Sequence, residues 1–206
     1  MKRKNLFFLL MAIWASISIE ALGQYVLSIN GEKIEMAVGV EKTAVLTNGQ
    51  KVTVLLEKKA IVAFESRYFT FRHKSDLTPV KTKTDNDGSQ TQMTSATGTT
   101  VIVQEYLSSD PSSVINGLIQ NLTQEEVRLG YQKKEKSHQI KLADGKVMKG
   151  KIVSTSLKNE QWTRCVLACG NENGGVLCIT QAEKSASDAD RQMIDLFWKS
   201  LSLKGF

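Results

Sequence analysis

The feature that most narrows what this chain can become is a repeated punctuation of Asn-Gly and Asp-Gly pairs, each set between short runs rich in β-branched residues. Asn30-Gly31 separates residues 25–29 from 32–38, and Asn48-Gly49 separates 43–47 from 50–56. Asp85-Asn86-Asp87-Gly88 stands between 80–84 and 89–94, and Ala96-Thr97-Gly98 precedes 99–106. Asp144-Gly145 joins 137–142 to 146–156, and Asn173-Gly174 joins 162–169 to 176–183. Tight hairpin turns need positive φ at their central positions, which Asn, Asp and Gly tolerate. The pattern therefore predicts antiparallel strands in series. If Asn48-Gly49 fills a two-residue turn, Val45 faces Val52 and Thr43 faces Val54. Around Asp144-Gly145, Ile140, Leu142 and Val147 share one face while Lys141 and Lys146 share the other.

Two stretches break this rhythm with a helical period. Asp110 is a good N-cap and Pro111 suits the first helical position. Ile115, Leu118, Ile119, Leu122 and Leu129 then fall on one face, and Gly130 supplies the stop. Thr123-Gln124-Glu125-Glu126 matches a capping box, which predicts a break near Asn121. The second helix starts at Ser187, with Asp188 and Asp190 where the helix dipole favours negative charge. Its buried stripe is Met193, Ile194, Phe197 and Leu201, with Trp198 on the flank. The expected class is α+β: an antiparallel sheet flanked by helices over residues 66–206, preceded by a small β-hairpin region over 24–65.

Residues 1–23 have the layout of a secretory signal. Lys2, Arg3 and Lys4 precede an apolar run from Leu6 to Ile19, and Ala21-Leu22-Gly23 offers small residues for cleavage before Gln24. The run is short for a bilayer span. The expectation is a protein without a membrane span, exported to the periplasm or beyond. A hydrophobic fraction of 41% with only two prolines excludes a disordered or collagen-like chain. The formal charge of +6 falls to about +4 once Lys2, Arg3, Lys4 and Glu20 are removed. That is too mild for a nucleic-acid binder, and export argues against one as well.

Chemistry-bearing residues are sparse. The three cysteines, Cys165, Cys169 and Cys178, fall within fourteen residues. With Asn173-Gly174 in a two-residue turn, paired positions sum to 347, which sets Cys169 opposite Cys178 with Cys165 on the same face. Two outcomes stay open: a Cys169–Cys178 disulfide, or three small apolar side chains in the core. Residues 131–151 hold seven lysines, Lys133, Lys134, Lys136, Lys141, Lys146, Lys149 and Lys151. They form either the solvated face of a hairpin or a surface for an anionic partner, such as a lipid headgroup, a polysaccharide or an acidic protein. Asp85-Asn86-Asp87-Gly88 lacks the spacing and closing Glu of a calcium loop. His73 and His138 are the only histidines, both flanked by polar and basic residues. No nucleophile, zinc or phosphate-loop motif is present, so no cofactor and no catalytic residue is expected.

The aromatic entry Tyr68-Phe69-Thr70-Phe71, the strand over 99–106 leading into the helix from Asp110, the meander over 131–183 and the closing Asp195-Leu196-Phe197-Trp198-Lys199-Ser200-Leu201 resemble the layout of the PsbP-like fold, seen also in DcrB-like periplasmic proteins. The resemblance spans residues 66–203. It implies an antiparallel sheet flanked by helices in a family of binding and assembly factors without shared chemistry. No family site residue transfers to this chain. Residue content and resemblance together point to an exported, non-enzymatic binding or accessory protein. The alternatives are a carrier of a lipid or other apolar ligand held between sheet and helix and, with no motif behind it, a hydrolase.

Overall fold

The computed structural model describes residues 25–84 and 88–205. The signal-like segment and most of the Asp85–Gly88 turn lie outside the described residues. The chain divides into two compact units, Met1–Lys58 and Lys59–Phe206.

In the first unit, β1 (Tyr25–Ile29) pairs with β2 (Glu32–Met36) through a two-residue turn. Asn30 and Gly31 both take positive φ there, 51° and 86°, as a type I′ turn demands. The next hairpin, β3 (Glu41–Val45) and β4 (Lys51–Leu55), departs from expectation. Leu46 N–H donates to Gln50 C=O, so the loop holds three residues, and only its last, Gly49, has positive φ. The register moves by one: Val45 faces Lys51, Thr43 faces Thr53 and Val52 faces Ala44.

The second unit is built on a seven-stranded antiparallel sheet. Its strands are β7 (Val80–Lys83), β8 (Ser89–Thr94), β9 (Thr100–Tyr106), β10 (Gln132–Lys141), β11 (Val147–Leu157), β12 (Glu160–Asn171) and β13 (Gly174–Glu183). Their spatial order is β10-β11-β12-β13-β9-β8-β7. A second sheet, in the order β14-β6-β5, joins β5 (Ile61–Glu65), β6 (Phe69–Lys74) and β14 (Ser202–Leu203). Because β5 pairs along its length with β6, it belongs to this unit. The boundary falls near residue 58 and not near 65.

Topology explains the position of the first helix. Strand β9 lies inside the large sheet while β10, next in the sequence, lies at its far edge, so the connection must cross β13, β12 and β11. A short 3-10 turn, Pro111–Val114, capped by the Asp110 carboxylate accepting from Ser112 N–H at 2.8 Å, leads into α1 (Ile115–Arg128). Ile115 and Ile119 pack on Val153, Val166, Ala168, Leu177 and Ile179, with half-buried Leu118 and Leu122 beside them. The expected break near Asn121 does not occur. Thr123 is buried and its hydroxyl donates back to Ile119 C=O at 2.8 Å, so it serves the running helix instead of capping a new one. Gly130, at φ 93°, closes α1 with Tyr131 N–H on Glu126 C=O and its own N–H on Val127 C=O, the Schellman pair.

The other face of the large sheet meets the small sheet and α2 (Asp188–Ser200). Met93, Val101, Val103, Met148, Leu167, Val176 and Cys178 pack there with Phe69, Phe71, Met193, Phe197 and Leu201. Phe197 meets Phe71 edge-on at 5.2 Å. Ser187 and Asp190 form a reciprocal capping box at the start of α2. Asp190 also accepts from Thr97 in the β8–β9 turn at 2.7 Å, which fixes the helix end to the sheet. No helix among the described residues is long and apolar enough to cross a membrane.

Candidate functional site

The lysine-rich segment folds as the hairpin β10–β11, at one edge of the large sheet. Its turn again has three residues: Leu142 N–H donates to Lys146 C=O, and Gly145 alone has positive φ. This extra residue reverses the expected alternation beyond the turn. Lys141 faces Val147 and Ile140 faces Met148. Met148 is therefore the buried partner of Ile140, while Val147 stands 38% exposed on the lysine side.

The seven lysines consequently do not share one face. Lys133, Lys141, Lys149 and Lys151 lie on the side that carries α1, with Val153 continuing the same face. Lys134 and Lys136 lie on the opposite side. Lys146 is in the turn and is already committed, since its ammonium donates to Leu203 C=O at 3.2 Å. Asp144 accepts from Leu203 N–H at 2.7 Å, so the two turn residues grip both backbone groups of Leu203. Burial pushes the Asp144 carboxyl up, but bonds from Leu203, Lys146 and Ser202 outweigh it and hold the pKa below its ordinary value.

On the helix side, Glu135 bridges two lysines, Lys133 at 3.0 Å and Lys151 at 2.8 Å. Hydrogen bonds from Lys151 and then Lys133 draw its pKa down. These three residues form one wall of a cleft of 430 Å³, and Asn116, Gln120, Thr123, Gln124 and Val127 of α1 form the other. The wall is polar and carries one negative charge against two positive. A carboxylate or phosphate entering it meets two ammonium groups and amide donors, and competes only with Glu135.

The helix wall is held in place by a pair that the sequence reading missed. Arg164 of β12 reaches across to Glu126 of α1 with both terminal nitrogens, while its Nε donates to Gln181 at 2.8 Å and Nη1 to Thr155 at 3.2 Å. Burial pushes Glu126 up, yet the bonds from Arg164 and Thr155 and the guanidinium charge together keep its pKa below the usual value. The visible signal is an arginine in line with Val166 and Ala168, on the face of β12 that packs against α1.

Glu105 was missed in the same way. It follows Val101 and Val103 on the inward face of β9 and is 6% exposed. Its carboxylate accepts from Ser66 at 2.6 Å, Lys81 at 2.8 Å, Ser89 and the Tyr68 N–H. Lys81 also donates to Ser66. Lys81 thus pairs with the Glu105 carboxylate and with the Ser66 hydroxyl at once, which joins all three in a single polar cluster. The cluster clamps the β5–β6 turn to the large sheet.

The cysteine register needs correction. The β12–β13 turn is Glu172-Asn173, one residue earlier than expected, so paired positions sum to 345. Cys169 faces Val176, Cys178 faces Leu167, and Cys165 faces Thr180. The shift is even, so all three stay on one face, with Cys178 diagonal to each of the others. All three are free thiols. Burial pushes Cys165 up to about 12, and Cys178 well above its ordinary value.

His73 is not the exposed side chain its neighbours suggested. The alternation of β6 turns Phe69, Phe71 and His73 inward together; His73 is 7% exposed, with Nδ1 2.8 Å from Lys74 C=O. His138 is half-buried on the side of β10 away from α1. Among the described residues, no three His, Cys, Asp or Glu side chains are grouped to hold a metal ion. The space between α1 and the sheet is filled by Ile115, Ile119 and their partners, so an apolar ligand there would have to displace them. No protein-family model matches the chain, and no curated protein matches it.

Proposed function

We propose that this protein is an exported, non-enzymatic accessory module that binds an anionic partner through the helix-side face of its β10–β11 hairpin. One observation carries the reading. Lys133, Lys141, Lys149 and Lys151 share that face, answered there by Glu135 alone on the hairpin, beside an open polar cleft. The layout resemblance to PsbP-like and DcrB-like proteins supports a binding role, and the signal-like residues 1–23 support export.

Retention of residues 24–206 on heparin, used as a polyanion probe, tests the charge reading. It should fall steeply as salt shortens the Debye length below about 10 Å. Lys141→Glu with Lys149→Glu should abolish retention and leave the fold intact, because both side chains are exposed. Lys146 is a poor choice for substitution, since it grips Leu203. Retention indifferent to salt and to the double change refutes the reading.

A further inference from the structure

The strand that carries four of the seven lysines is also a hydrogen-bonding edge that no described strand occupies. Among the described residues, strand β10 ends the large sheet and pairs with β11 alone. Its register runs unbroken over ten residues, without bulge or proline. The bond from Leu142 N–H to Lys146 C=O fixes the alternation. Even-numbered residues of β10 direct their backbone groups at β11, and odd-numbered ones direct theirs away. Lys133, Glu135, Ser137, Gln139 and Lys141 thus turn their N–H and C=O groups outward, where no described residue of the chain pairs with them. The opposite edge, β7, is only four residues long.

A long, flat, unpaired edge is a template for another strand, and natural proteins guard such edges with charge. Here the guard is mostly positive. Lys133, Lys134, Lys136 and Lys141 stand on β10 against Glu135, and Lys149 and Lys151 stand behind them on β11. A second copy laid antiparallel about Ser137 would set Lys133 against Lys141, which like charge opposes. An acidic strand meets the reverse, with lysines available on both faces of the edge.

We infer that the free edge of β10 accepts an acidic, extended segment of a partner protein as an eighth strand. Backbone bonds to the outward residues supply the docking, and lysines select the charge. This rests on the anionic-partner reading and deepens it from charge attraction to strand addition.

The test uses residues 24–206 and a ten-residue peptide of alternating glutamate and valine. A second peptide has the same side chains with every backbone nitrogen methylated, which keeps the charge and removes the ladder donors. The unmethylated peptide should bind at least about tenfold more tightly. Amide exchange should slow at Lys133, Glu135, Ser137, Gln139 and Lys141 but not elsewhere. Ser137→Pro removes one outward N–H without touching the β11 ladder, and should weaken the unmethylated peptide several-fold while heparin retention holds. If that variant fails to fold, the two peptides still decide. Equal binding of both, with no slowed exchange, overturns strand addition and leaves the charge reading standing. Failure of both peptides to bind overturns it as well; heparin retention that is also indifferent to salt takes down the charge reading with it.

Discussion

Replacing Glu126 by Gln tests whether α1 is held to the sheet by its charge pair or by its apolar stripe alone. The substitution keeps the side-chain shape but leaves the Arg164 guanidinium, 5% exposed, without its counter-charge. Removing one partner of a buried pair costs about 3–5 kcal/mol. Arg164 keeps its bonds to Gln181 and Thr155, and Glu126 is 19% exposed, so the lower end applies, about 3 kcal/mol. Urea unfolding followed by Trp162 and Trp198, both in the second unit, measures this. With a slope of about 2 kcal/mol per M, the midpoint should fall by about 1.5 M. Glu125→Gln, in the exposed Arg128 pair of the same helix, should leave the midpoint in place. Glu126→Leu combined with Arg164→Met should recover most of the loss, since an apolar pair has no buried charge to strand. The depressed Glu126 pKa adds a pH signature. Its stabilisation is full above the unfolded value, about 4.3, and is lost as pH falls through the folded value, so parent and Glu126→Gln should converge in acid. A midpoint shift under about 0.3 M, or a double variant as unstable as the single, would refute the argument.

Three further outcomes are expected. Asp190, held at a pKa of about 2 by its bonds from Ser187, Ser95 and Thr97, should contribute stability that is full above about pH 4 and lost as pH falls towards 2; Asp190→Asn should cost about 1–2 kcal/mol at pH 7, and a gap to the parent that persists unchanged at pH 2 contradicts this. Native protein should react only slowly with iodoacetamide at pH 8, because burial suppresses the thiolates, and unreduced protein in urea should titrate three thiols; a smaller count reveals a disulfide. Protein from its native host should begin at Gln24 by mass, and a retained Met1 or Lys2 sinks the export reading.

The turns show which part of the fold was legible. Asn-Gly and Asp-Gly pairs marked where strands reverse, but not how many residues the reversal takes. At Asn30-Gly31 both residues adopt positive φ and the two-residue reading holds. At Asn48-Gly49 and Asp144-Gly145 only the Gly does, and the side chain of the preceding Asn or Asp accepts from the N–H two residues on. The loop then takes in one more residue before it. One residue is one parity, and parity decides which side chains meet water. That is why Val147 does not share a face with Ile140 and Leu142, and Met148 takes its place. The cysteine hairpin erred by an even step, so its face came out right although its partners did not.

The candidate surface was legible in the same partial way. Seven lysines in a row of twenty-one residues mark a basic hairpin, but composition does not show that Lys146 is spent on Leu203 or that Lys134 and Lys136 face away from the rest. What strand alternation does show, once the register is known, is more specific than charge. In β10 the residues with outward backbone groups are also the ones whose side chains face α1, so Lys133 and Lys141 present an ammonium and an unpaired peptide edge from the same position. A partner that engaged only the charge would leave five N–H groups to water; one that engaged only the edge would have no reason to be acidic. The arrangement favours a ligand that satisfies both at once, and an extended acidic segment is the simplest polymer that does.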